Sequence, residues 1–341
     1  MKHLLPEVPQ YYKTNLHTHT NVSDGDYSPE AVKQFYKDRG YSAVAFSDHE
    51  VCIAHPELND PDFLALTAYE LSTSDTRDLS VKASYRRTYH LNLLSKQADN
   101  RWQFYDPARV WGNARHYVDR IVTDGVEHWT YSVEDMNRII ARANEHGFLV
   151  TYNHPVWSQQ DYRDYARLEG LWATEVFNTE CCRQGYNDDQ DKILQDLICL
   201  GNKVFPVAAD DFHHLEDENC IAQGWVMVGA AELSYDALIR ALERGDFYAS
   251  TGPSIESLTI DGTMLSVNCS AARSIDIIAN CRYCRRTAYP GITEASFDLA
   301  QWMNIVKDSA DENACIRVVV TDVAGKKAYT RPYHVHELKD E

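Results

Sequence analysis

Basic residues are scarce in this chain. Lys and Arg number 33 against 51 Asp and Glu, giving a formal charge of −18 over 341 residues. That balance repels nucleic-acid backbones and anionic lipid surfaces unless bound cations intervene, so nucleic acid is not an expected partner. No run approaches the roughly 18 apolar residues of a membrane span. The opening MKHLLPEVPQ lacks the apolar core of a signal peptide, so no membrane is expected and the expected compartment is cytoplasmic. Cysteine, 9 in all, is odd in number and too sparse for a secreted disulfide framework. Cys281-x-x-Cys284 has the spacing of half a zinc site, but no second Cys or His pair follows at finger spacing, and the thiols read as mostly buried and free. A glycine-rich phosphate turn after the first strand is also missing, which argues against a dinucleotide fold. What remains, 44% hydrophobic and 25% charged, is a globular composition with room for one large and one small domain. Nothing in it specifies an oligomeric state.

The first strong unit is KTNLHTHT, a loop, and SPEAVKQFYKDRG. Ser28 suits an N-cap, Pro29 the first helical position and Gly40 a left-handed terminus, so residues 29–39 read as a helix. YSAVAFSDH follows as a buried strand, and further apolar runs stand at 64–71, 89–94, 148–155, 170–178 and 203–213. Helices are expected over 133–146, capped by Ser132, and over 188–200, ending at Gly201. Seven candidate parallel strands with interposed helices predict an α/β fold, a distorted seven-stranded (β/α) barrel. GWVMVGA adds a strand and SYDALIRALERG a final helix. Beyond about residue 250 short β-rich pieces separated by turns predict a small C-terminal sandwich-like domain. The expected division is therefore 1–250 and 251–341. An insertion at 95–131 carries Trp102, Phe104, Tyr105, Trp111, Tyr117 and Trp129. It reads either as a lid over a barrel pocket or as aromatics packing a subdomain or an oligomer contact.

The ends of the seven strands carry His17 and His19, Asp48 and His49, Glu70, His90, His154, Glu175 with Asn178, and Asp211 with His213. Parallel barrel strands bring their C-terminal ends to one face, where such residues converge. One HxH pair would be a weak signal, but its recurrence strand after strand is not what barrel interiors, filled by branched apolar residues, normally show. The mixture is nitrogen and carboxylate without sulfur, which suits Zn, Mn or Fe and excludes an iron–sulfur cluster. The ligands are too many for one four-coordinate ion, so two or three divalent metal ions are expected. Such a cluster acidifies bound water, and hydrolysis is the natural reaction.

HTHTNVSDG at 17–25, FSDH at 46–49, Glu70, YH at 89–90, NHP at 153–155 and DDFH at 210–213 resemble, in order and spacing, the motifs of the PHP (polymerase and histidinol phosphatase) family. The resemblance covers roughly residues 11–250 and implies a distorted seven-stranded barrel with a di- or trinuclear metal centre. ALERGDFYASTGP at 241–253 before a β-rich end is similar to the CehA/McbA-like branch, whose named members hydrolyse aryl carbamates or amides. The resemblance implies one metal on His17, His19, Glu70 and Asp211, a second on Asp24, His49 and His213, and a third on Glu70, His90 and His154, with Glu70 bridging. It departs from the family at Asp210, where Ser often stands. Asp210 and Asp48 read as carboxylates behind the ligands, or Asp210 as a solvent-facing one.

The expected activity is that of a metal-dependent hydrolase, first a phosphoesterase acting on a small-molecule phosphoester through a metal-bridging hydroxide, with Glu70, Asp211 and His213 as catalytic residues. An anionic substrate needs a cationic clamp, and Arg87 and Arg183 are the candidates for substrate binding. Trp157, close after His154, offers an apolar wall. The alternative is a carbamate, amide or carboxylic ester hydrolase, favoured by the tail and the aromatic insertion. A non-catalytic metal-binding module is the third reading.

Overall fold

The computed structural model describes residues 1–82, 85–186, 190–214, 221–309 and 311–339. Strand β1 (Lys2–His3) is followed by β2 (Gln10–Asn15), α1 (Pro29–Lys37), β3 (Ala43–Phe46), β4 (Leu64–Ser74) and β5 (Thr88–Ser95). Next come α2 (Val133–Glu145), β6 (Phe148–Tyr152), α3 (Tyr162–Tyr165), β7 (Ala173–Asn178), α4 (Thr179–Arg183), α5 (Asp191–Cys199) and β8 (Phe205–Ala209). The expected caps are in place: the Ser28 hydroxyl accepts from the Ala31 N–H and the Ser132 hydroxyl from the Asp135 N–H. Residues 188 and 189 of the helix expected before Gly201 lie outside the described residues. Helix α2 buries Met136, Ile139, Ile140 and Ala143, a spacing of three and four that forms one stripe, in a core shared with Phe148 and Val150 of β6.

Strands β2, β3 and β4 are parallel neighbours, as are β6, β7 and β8. Strand β5 departs from the all-parallel expectation. It is antiparallel to both β4 and β6, because the short connection from β4 carries no α-helix among its described residues and so turns the chain straight back. Past β2 and β8 the chain meets itself again: Thr18 bridges Phe212, His19 N–H donates to Phe212 O at 2.9 Å and Asp211 N–H to His17 O at 3.0 Å.

The chain continues through β9 (Trp225–Ala230), α6 (Tyr235–Arg244), β10 (Phe247–Ser250), β11 (Ile255–Asp261), β12 (Met264–Ala279), β13 (Cys284–Asp298), α7 (Ala300–Ser309), β14 (Cys315–Thr321), β15 (Lys327–Thr330) and β16 (Tyr333–His334). Strand β9 lies against β2 and β10, and β10 against β15, so the C-terminal strands continue the body's sheet. The fold is thus mixed α/β with a large sheet. Where short pieces were expected, β12 runs unbroken for 16 residues, and its register with β13 shifts around Ala272. Helix α7 was not expected in the tail; it buries Trp302 and Val306 in a second core with β11, β12 and β14. Leu4 and Leu5 join that core, and β1 pairs with β11, so the start of the chain packs with its end. No helix of the described residues is long and apolar enough to cross a membrane.

Candidate metal centre

The Thr18–Phe212 bridge brings the HxH pair against Asp211. His17 Nε2 lies 3.0 Å and His19 Nε2 3.1 Å from Asp211 Oδ1, and Glu70 stands 3.4 Å and 3.3 Å from the same nitrogens. A second set gathers on Asp24, in the turn after His19: His19 Nδ1 at 3.6 Å, His213 Nε2 at 3.3 Å and His49 Nε2 at 3.9 Å. The third set is His49, Glu70 and His90, with Glu70 oxygens 3.3 Å and 3.0 Å from the two Nδ1 atoms. Within each set the ligand atoms lie within 4.8 Å of one another. His154 falls in none of the three sets, but its Nε2 sits 3.4 Å from Glu70 Oε1, the oxygen that His90 also approaches, and 3.7 Å from Asp211 Oδ2. Antiparallel β5 still delivers His90, because the start of β5 lies beside the end of β4 and His90 pairs with Ser72.

These side chains fit metal ions. His19 Nδ1, His49 Nδ1, Glu70 Oε2 and Asp211 Oδ1 are buried without a hydrogen-bond partner, and such atoms are costly unless something else satisfies them. Burial would raise the Glu70 carboxyl, yet His90, His17 and His49 around it hold it well below the usual carboxylate range. Burial likewise opposes ionisation of Asp211, and His17 with its neighbours overrides that. Burial pushes His49 down to about 3, keeping a neutral imidazole with a lone pair to give.

Behind the sets stands a layer of orienting groups. Glu175 Oε1 lies 2.7 Å from His17 Nδ1, which leaves His17 Nε2 facing the carboxylates, and its other oxygen accepts from the His154 N–H. Asn153 Nδ2 donates to Glu70 Oε1 at 2.6 Å. Sequence reasoning noted Glu175 at a strand end without a role and did not single out Asn153. Asp48 accepts from the Thr20 N–H and the Ser23 hydroxyl, so it shapes the turn that carries Asp24. Asp210 neither orients a ligand nor meets solvent; it is buried and accepts from Thr179 Oγ1, Tyr36 OH and the Gln223 and Gly224 N–H groups. His154 at φ 22° and Asp211 at φ 54° sit in the region that disfavours side chains, local strain of the kind that concentrates where a site demands a particular direction.

A cavity of about 440 Å³ opens over the sets. Trp157 forms one wall, 5.0 Å from the His154 ring and 5.5 Å from His90. Trp111, from the aromatic insertion, forms another at 5.2 Å from His49. Trp102, Phe104 and Trp129 of the same insertion are instead buried in the main core. Among the described residues no lysine or arginine lines this cavity. The two arginines expected to clamp the substrate turn elsewhere: Arg87 pairs with Asp161 and Asp164 and lines a neighbouring cleft, and Arg183 pairs with Glu180. The acids that hold Arg87 are remote in sequence, whereas Glu180 lies one helical turn before Arg183.

No family model and no curated protein matches this chain. Among solved structures it is similar to a two-domain Bacteroides vulgatus protein described as containing a predicted PHP-like metal-dependent phosphoesterase. That likeness has 15% identity and a TM-score of 0.45, covering 98% of each chain. A Bifidobacterium adolescentis protein assigned as a metal-dependent phosphoesterase is 14% identical over 69% of this chain and 96% of its own, with a TM-score of 0.37. An amidohydrolase of Chromobacterium violaceum, with sulfate bound and no metal, is 18% identical over 60% of this chain and 89% of its own, with a TM-score of 0.40. These are distant likenesses.

Proposed function

We propose that this chain is a metal-dependent hydrolase of the PHP type, a distorted seven-stranded barrel over residues 1–250 followed by a β-rich unit over 251–341. The observation that carries this is the trio of adjacent His/Asp/Glu sets, two of them sharing Glu70, with buried, unpartnered ligand atoms between them. His17, His19, Glu70 and Asp211 would hold one divalent ion, Asp24, His49 and His213 a second, and Glu70 with His90 and His154 a third. Zn, Mn or Fe suits this donor set, and bound there it would acidify water and polarise the oxygen of a scissile bond. Glu70 belongs to both the first and the third set and, with two oxygens, would serve two ions, which an imidazole nitrogen cannot do. Asp211 and His213, both lining the cavity, would orient the attacking water toward the substrate.

On the bond that is cleaved, the walls favour an uncharged substrate. A phosphate monoester brings nearly two negative charges and would rely on the metals alone, since neither Arg87 nor Arg183 faces the cavity. A neutral carboxylic ester, amide or carbamate needs a polarised oxygen and an apolar wall, which Trp111 and Trp157 supply. The phosphoesterase reading stands second, supported by ligands enough for two or three cations to offset that charge. Full-length protein loaded with Zn or Mn and offered aryl carboxylic esters, carbamates and phosphates tests both. Turnover of a neutral ester that stops on chelation is expected; turnover of phosphates alone would reverse the order, and no turnover with any metal would contradict the hydrolase reading.

A further inference from the structure

Resting on the reading of the centre as a metal site, we propose that the aromatic insertion completes its outermost metal position by clamping the turn that presents Asp24. The set His19, Asp24, His49 and His213 differs from the fully buried set His17, His19, Glu70 and Asp211: two of its members, Asp24 and His213, are only half-buried. Asp24 belongs to no strand, so nothing in the sheet fixes its carboxylate. From the inner side the Ser23 hydroxyl stands 3.0 Å from Asp24 Oδ1 and 2.8 Å from Asp48 Oδ1. From the outer side the insertion takes hold of the same residue.

The Asn113 N–H donates to Ser23 O at 3.2 Å, and Asn113 Nδ2 to Asn21 O at 3.2 Å. Gly112 permits this approach. Its φ is 55°, and a Cβ built there would stand 3.3 Å from Ser23 O. Beneath these bonds Val110 and Ala114 pack in a small buried cluster with Val22, Val51 and Ile53. Val22 belongs to the Asp24 turn, and Val51 and Ile53 follow His49. One short segment therefore braces two of the three backbone stretches that bring ligands to the outer position. The inner set has its own brace, the Thr18–Phe212 bridge. The two kinds of position should then respond separately to loss of the insertion's grip.

The test uses full-length protein and zinc alone, counting ions per chain after gel filtration and ranking affinities by chelator competition. Gly112→Ala presses a methyl against Ser23 O, and Ala114→Glu puts a charge into the buried cluster; circular dichroism checks that each variant is folded. The outer ion should be lost, or held about 10- to 100-fold more weakly, while the remaining ions bind as in the parent. Identical stoichiometry and affinities in folded variants would overturn the proposal, as would an equal weakening of every ion. Should Ala114→Glu not fold, Gly112→Ala decides. A parent protein that binds no zinc would remove the proposed function together with this inference, an outcome distinct from selective failure.

Discussion

Glu175 shows what a carboxylate does one layer behind a ligand. Accepting from His17 Nδ1–H fixes the tautomer, so the lone pair on Nε2 faces Asp211 and Glu70. Glu175→Gln should lower metal affinity about 10-fold or more while the fold persists, measured by chelator competition. Unchanged affinity would reduce Glu175 to packing. Asp210 makes a different case, because its oxygens collect four donors around the end of β8. Asp210→Ala strands those buried donors and should cost about 3 kcal/mol, read as a lower denaturant midpoint; a midpoint like the parent's would contradict the account. At this scale the candidate ligands were legible in the sequence because His and acidic residues recur where apolar strands end. The role of Glu175 was not, since it depends on which imidazole the side chain meets. Nor were the partners of Arg87, because Asp161 and Asp164 reach it through the third dimension.

Among elements, the strands and the capped helices could be read from apolar runs and caps, but strand direction could not. Short apolar runs look alike whichever way the chain travels, and the reversal of β5 follows from its helix-free connection to β4. Helix α7 escaped notice for a related reason. Its apolar face rests on Trp302 and Val306 within ten residues, too little periodicity to stand out among strands. The tail also does more than follow the body. Arg317 on β14 is 2% exposed and pairs with Asp191 and Gln195 of α5. Arg317 is buried while Asp191 is about a quarter exposed, so removing the guanidinium empties a buried site and takes away charge-assisted bonds to Asp191 and Gln195. Arg317→Ala should therefore cost about 3 kcal/mol in urea unfolding, and a loss below about 0.5 kcal/mol would place the pair among weak surface contacts.

Over the whole molecule, the proposed ligands all precede residue 250, and from sequence alone the remainder looks separable from the chemistry. The continuous sheet argues otherwise for stability. Strand β10 hydrogen-bonds to β9 on one side and β15 on the other, and Leu4 and Leu5 need the C-terminal strands to bury them. A chain ended at Thr251 should fail to reach a cooperative unfolding transition; a truncated protein with the parent's midpoint would show that the body is self-sufficient. Ligand supply and fold stability are thus divided unequally along the chain. The most direct check of the central claim is anomalous diffraction from crystals grown with zinc and no chelator. Two or three peaks are predicted among His17, His19, Asp24, His49, Glu70, His90, His154, Asp211 and His213, with two of them sharing Glu70. A zinc-saturated protein with no peak at Glu70, or with its zinc elsewhere, would contradict the account.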